Sequence, residues 1–210
     1  LPEVALGLIP DVGGTGLLAR APGRVGEYLG TTARRMGPGD AIWAGFADHF
    51  VPTDQWDQVK QNLAQTGDVS VLQGHNAPHA PLSDQQGDID AHFGGEALPD
   101  ILNSLHYAGD AFANATGDQL AQNCPLAMAA GVELIHRARG HKDIAAVLEQ
   151  EYRFAHRAME KGDFLEGIRA MVIDKDKSPQ WRHSLTPPPM GHVPGMLQPL
   201  GPQKLNLTQP

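Results

Sequence analysis

Leu1-Pro2-Glu3-Val4-Ala5-Leu6-Gly7-Leu8-Ile9-Pro10-Asp11-Val12-Gly13-Gly14-Thr15 opens the chain and decides how the rest is read. Two carboxylates, Glu3 and Asp11, stand eight positions apart with an almost wholly apolar segment between them. Val4, Leu6, Leu8 and Val12 fall on even positions, and Ala5, Gly7 and Ile9 are apolar as well, so a strand here would be buried on both faces. Glu3 and Asp11 would then mark the two ends of a core segment, where charge is rare unless it is paired or used. Two carboxylates near one pocket are driven apart in pKa by desolvation and mutual repulsion, which leaves one as acid and one as base. Gly13-Gly14 permits a sharp turn, a close backbone approach and a helix start at Thr15. The same residues have a plain reading. Glu3 then serves a turn and Asp11 caps the next helix, and structural ion pairs perturb carboxylates too.

Working outward, the chain has 210 residues, enough for one domain with a real core, or for one domain and an extension. It carries 24 acidic against 16 basic side chains, a net charge of −8, which argues against a nucleic-acid surface. Cys124 is the single cysteine, so no disulfide forms within the chain, and a reducing compartment fits. No apolar run reaches the roughly 18 residues of a membrane span, and no basic-then-apolar signal opens the chain. The chain begins with Leu inside a strand-like run, and the expectation is a C-terminal portion of a longer protein.

Helical periodicity dominates from Thr15 onward. Residues 15–35 read as helix in two pieces, broken at Pro22-Gly23. Asp40 reads as an N-cap for 41–46, and 47–52 as a short strand closed by Pro52. Thr53 or Asp54 caps a helix to about Ala64, with Trp56, Val59, Lys60 and Leu63 as one face. His49 beside that strand reads as a structural residue rather than a ligand. Residues 66–95 are rich in Gly and Pro, with one short helix suggested by Ile89 and Phe93. Pro78 denies His75 and His79 the shared helical face that a metal site needs. Leu98, Ile101, Leu102 and Leu105 form a stripe, and Asp110 opens a second helix with Phe112, Ala115 and Leu120 as its face. Pro125 starts a third helix, and Cys124 before it reads as a small buried residue, not a nucleophile. Residues 141–161 give the clearest helix, with Ile144, Leu148, Tyr152, Ala155 and Met159 as the apolar face and Gly162 as its stop. In Asp163-Phe164-Leu165-Glu166-Gly167-Ile168-Arg169-Ala170, Asp163 caps a helix and Glu166 pairs with Arg169. After Trp181 the Pro-rich tail reads as extended or poorly ordered.

These stretches together resemble the crotonase (enoyl-CoA hydratase/isomerase) superfamily. The resemblance rests on Pro2-Glu3, the run Leu8 to Thr15, Arg20 with Pro22-Gly23, and the Asp-Phe-x-Glu-Gly-x-Arg-Ala core at 163–170. Within it, Pro10-Asp11-Val12-Gly13-Gly14 and the continuation Ile173-Asp174-Lys175-Asp176, with Pro179 and Trp181, are most similar to the 3-hydroxyisobutyryl-CoA hydrolase branch. It covers residues 1 to about 182 and is weakest over 66–95.

The resemblance implies an α/β fold: the C-terminal part of a ClpP/crotonase-like fold, mostly α-helical here, with short strands near residues 3–9 and 48–51. It divides the chain into core (1–65), a loop-rich insertion (66–95), a helical region (96–182) and the tail (183–210). It implies hydrolysis of an acyl-CoA thioester, 3-hydroxyisobutyryl-CoA of valine breakdown. Glu3 would attack the carbonyl or activate the water that does, and Asp11 would contact the 3-hydroxyl or that water. Glu3, Asp11, Gly13 and Gly14 would bind substrate. No metal and no separate cofactor are expected, since coenzyme A arrives as part of the substrate. The partner is the acyl-CoA substrate, with neither nucleic acid nor membrane, and a homo-oligomer is left open. The location would be cytoplasmic in a bacterium and the mitochondrial matrix in a eukaryote. In the family the backbone donors for the oxyanion belong to a preceding half, so this chain by itself is expected to be inactive. Two other readings stand beside this one. One is an enoyl-CoA hydratase, against which Pro-Asp-Val-Gly-Gly speaks, and the other is a non-catalytic helical partner module.

Overall fold

The structure, a computed structural model, describes residues 2–141 and 143–207. In chain order its α-helices are α1 (Gly14–Leu18), α2 (Val25–Thr32), α3 (Pro38–Trp43), α4 (Trp56–Thr66), α5 (Pro81–Asp84), α6 (Gln86–His92), α7 (Leu98–Ala108), α8 (Ala111–Gln122), α9 (Pro125–Arg139), α10 (Ile144–Ala158), α11 (Phe164–Ile168) and α12 (Val193–Leu197). A π-helical turn, Arg169–Ile173, continues α11, and a 3₁₀ turn spans Glu3–Leu6. The chain divides into two compact units, Leu1–Arg34 with Asp88–Pro210, and Arg35–Gly87.

No strand occurs among the described residues, so the strands expected near 3–9 and 48–51 are corrected. A strand needs a neighbour's ladder for its backbone groups. Residues 3–8 satisfy theirs locally instead: Ala5 N–H bonds to the Pro2 carbonyl at 3.0 Å and Leu8 N–H to that of Glu3 at 3.0 Å. A short apolar run does not separate strand from buried helical turn by periodicity. Residues 48–51 have no regular structure.

In the larger unit α9 is central. Pro125 sits in its first turn, and eleven of its fifteen residues are buried, as expected of a helix covered on all sides. All of α2 is buried as well. Its Glu27, fully buried, accepts from Arg24 at 3.0 Å, from His136 at 3.0 Å and from Arg139 at 2.7 Å, the last two on α9. Burial alone would push the Glu27 carboxyl up, but these partners bring it below its ordinary value. Tyr28 meets Phe93 edge-on at 5.3 Å and stacks on Phe112 at 6.0 Å. Leu98, Ile101 and Leu105 of α7 are buried, and Asp110 caps α8 by accepting the Ala113 N–H at 2.8 Å, both as expected.

The buried face of α10 is not the expected one. Ile144 and Met159 are more than half exposed, whereas Val147, Glu151, Phe154 and Ala158 are buried. The inward stripe contains a carboxylate, and an apolar count therefore favours the neighbouring one. The tail also departs from expectation. It forms α12, whose Val193, Met196 and Leu197 are buried, and Arg157 of α10 donates to the carbonyls of Met196 at 2.9 Å and Gln198 at 2.8 Å. Three apolar residues among prolines suffice once a cation holds their backbone.

In the smaller unit, Pro38 opens α3 and Asp40 is its third residue rather than its cap. Buried Asp40 accepts from Gly37 N–H at 3.2 Å and from Leu82 N–H of α5 at 2.9 Å. His49, Phe50, Val51, Trp56 and Leu72 line a cavity of about 700 Å³, and His49 is exposed rather than packed on a strand.

Candidate active site

Glu3 stands in the first 3₁₀ turn, and that turn is fixed from two sides. Cys124 N–H donates to the Val4 carbonyl at 2.9 Å. Gly7 closes the turn at φ +75°, where an added Cβ would lie 2.7 Å from the Asp163 carbonyl carbon. Asp163 is buried, accepts the Arg182 N–H at 3.0 Å and receives the Cys124 thiol at 3.4 Å. Burial pushes that thiol up to about 12, so Cys124 is inert structure, as its surroundings in the sequence suggested. The Glu166–Arg169 pair is present at 2.8 Å, and Arg169 also binds Asp174 at 2.8 Å and Asp176 at 2.6 Å. The Arg169 guanidinium, with the Gln180 N–H, holds the Glu166 carboxyl down at about 2.

The Glu3 carboxylate itself is half-buried, and its Oε2 is enclosed with no hydrogen-bond partner. A buried carboxylate oxygen without a protein partner is unfavourable by roughly 1–3 kcal/mol, and such a group calls for an explanation.

Asp11 lies in the turn after Pro10. It lines a cavity of about 140 Å³ with Val12, Leu148, Glu151, Tyr152, Ala155 and Leu205. Glu3 is not among the residues lining it. The structure thus brings Asp11 to Glu151, which the sequence reading missed. Glu151 is 2% exposed. Its Oε2 accepts the Gly13 N–H at 2.7 Å, and its Oε1 accepts the Thr15 N–H at 2.9 Å and the Thr15 hydroxyl at 2.5 Å. Burial pushes its carboxyl up and the Asp11 charge adds to this, against the three hydrogen bonds. The signal for Glu151 was its place in line with Val147, Phe154 and Ala158. At the glycines expected to bind substrate, the Gly13 N–H is taken by Glu151 and the Gly14 N–H by the Asp11 carbonyl at 2.8 Å.

The enoyl-CoA hydratase/isomerase family profile matches residues 1–187. The chain belongs to this family. Similar relatives are the mitochondrial 3-hydroxyisobutyryl-CoA hydrolases of Danio rerio, 32% identical over 88% of this chain and 51% of that protein, and of Homo sapiens, 29% identical over 87% and 50%. Among solved structures, an enoyl-CoA hydratase from Rhodobacter sphaeroides is 47% identical with a TM-score of 0.91, over 98% of this chain and 60% of that one. A carnitinyl-CoA dehydratase from Mycobacterium thermoresistibile is 32% identical with a TM-score of 0.89, over 100% and 61%. The fold is therefore that of crotonase-family neighbours, represented here by helices. The chain spans about half the length of the curated relatives it matches.

Proposed function

We propose that the protein carrying this chain hydrolyses a 3-hydroxyacyl-CoA thioester, 3-hydroxyisobutyryl-CoA, releasing the free acid and coenzyme A. The observation that carries the reading is the enclosed, unpartnered carboxylate oxygen of Glu3. A carboxylate with one enclosed oxygen free of protein hydrogen bonds has a lone pair that is not committed to the fold and can act on a substrate. Glu3 attacks the thioester carbonyl to give an acyl–Glu3 anhydride that water then hydrolyses to the free acid and the restored carboxylate, or it deprotonates the water that attacks the thioester directly; in both routes the thiolate of coenzyme A leaves and takes up a proton. Asp11, in its turn beside Glu151, contacts the 3-hydroxyl or the attacking water. Coenzyme A enters as part of the substrate, with no separate cofactor. The names of the hydrolase relatives support the substrate, and the mitochondrial location in those names supports the mitochondrial matrix in a eukaryote.

A second reading, hydration of an enoyl-CoA, is favoured by the 47% identity to the Rhodobacter sphaeroides hydratase. In the whole protein, release of free coenzyme A from 3-hydroxyisobutyryl-CoA and hydration of crotonyl-CoA separate the two. We expect thioester cleavage that Glu3→Gln abolishes. Unchanged cleavage in Glu3→Gln removes the catalytic assignment, activity on crotonyl-CoA alone selects the hydratase, and neither activity selects a partner module.

A further inference from the structure

The turn between Asp11 and Thr15 is held from a distant part of the sequence. Val12 is β-branched and sits at φ +51°, in the left-handed region, with its side chain 88% exposed. A β-branched residue keeps that conformation only where its surroundings over-determine it. The residue that does so is 138 positions away from Gly13. Glu151 holds the amides of Gly13 and Thr15 and the Thr15 hydroxyl, the first of these adjacent to Val12. It is mounted on α10, fifteen residues long and packed through Val147, Phe154 and Ala158. With both oxygens occupied and 2% exposure, it is closed to substrate.

We infer that Glu151 is a positioning residue: by clamping the Gly13 and Thr15 amides it fixes the left-handed turn at Val12, and so sets the place of the Asp11 carboxylate in the reaction. This rests on the reading of Asp11 as a substrate-contacting group. Asp11 and Glu151 line the same small cavity, so a shift of one moves the other's surroundings. A rigid helix carrying the clamp suits the task, because a displacement of about 1 Å at a reacting group lowers the rate up to about 100-fold.

The test is a double-mutant cycle in the whole protein with Glu151→Gln, Asp11→Asn and both. It is read as kcat, KM and Tm on whichever of 3-hydroxyisobutyryl-CoA and crotonyl-CoA the unaltered protein turns over. Gln has the same shape but turns an NH₂ group toward a donor, so at least one bond is lost. We expect Glu151→Gln to lower kcat by roughly 10- to 100-fold with KM little changed, and to lower it no further once Asp11 is Asn. Equal fractional losses in both backgrounds, or a lower Tm with kcat intact, overturn the inference while leaving Asp11 in its role. Full kcat in Asp11→Asn alone overturns both, and that single variant tells the two failures apart. Should Glu151→Gln not fold, Thr15→Val is compared with Thr15→Ser. The lower kcat is expected in the variant without a hydroxyl, and equal kcat overturns the inference.

Discussion

Gly167 of α11 lies directly against the backbone carbonyl of Leu6, so close that a Cβ on it would overlap the carbonyl carbon and oxygen. The two ends of the chain's most characteristic motifs therefore meet backbone to backbone, and the turn bearing Glu3 takes its position from this contact. Gly167→Ala meets an obstacle that no rotamer change relieves. We expect a net loss of about 2 kcal/mol, after the roughly 0.5–1 kcal/mol that Ala gains in a helix, and a Tm lower by about 4–8 °C. Gly117→Ala on α8 is the control, since nothing lies within 4 Å of its added Cβ. It should stabilise by about 0.5–1 kcal/mol. Thermal unfolding of the two variants checks both.

The Glu27 cluster sets an acid limit. Its carboxyl titrates below its ordinary value of 4.5, lowered by His136, Arg139 and Arg24 against the opposing effect of burial. A depressed carboxylate stabilises the fold at pH values above its unfolded value, and that contribution fades as pH falls through the lowered folded value. Glu27→Gln should cost about 2–3 kcal/mol at pH 7, less than a fully buried pair because its partners are 23–33% exposed. Urea unfolding from pH 7 to 3 should show a steeper decline below about pH 4.5 in the unaltered protein than in the variant.

Arg169 organises the segment after α11 by reaching Glu166, Asp174, Asp176 and the Ser178 carbonyl. Its planar fork is what allows several acceptors at once, and a lysine ammonium cannot reproduce that geometry. Arg169→Lys should leave the core intact and speed tryptic cleavage after Lys175 and Lys177 several-fold. Limited proteolysis read by mass spectrometry checks this, and unchanged cleavage would mean the segment is ordered by other contacts.

Cys124 should resist alkylation. Its thiol is buried and pushed up to about 12, so almost no thiolate exists at pH 8. Peptide-resolved iodoacetamide labelling should be negligible in the folded protein and complete in denaturant. Cys124→Ala should cost about 1 kcal/mol, for the bond to Asp163, and leave kcat unchanged.

Much of this was legible along the chain. The cap Asp110, the start of α9 at Pro125, the stripe of α7 and the Glu166–Arg169 pair are local matters, decided by residues within one or two turns of each other. Two carboxylates bracketing an apolar run also announced themselves. What failed did so for identifiable reasons. The run at 3–9 carried no period that distinguishes strand from turn. The tail's three apolar residues acquired meaning only through Arg157. The face of α10 was misplaced because its inward stripe includes Glu151.

The sequence by itself determined most of the longer helices, the cap at Asp110 and the family to which its motifs point, because those depend on neighbours in the chain. Only the tertiary structure decided that Glu151 closes on Gly13 and Thr15, that the Gly13 and Gly14 amides are taken, and that Asp11 shares a cavity with Glu151. The physical reason is that a buried carboxylate is tolerable only where donors converge on it, and here those donors come from residues more than a hundred positions away.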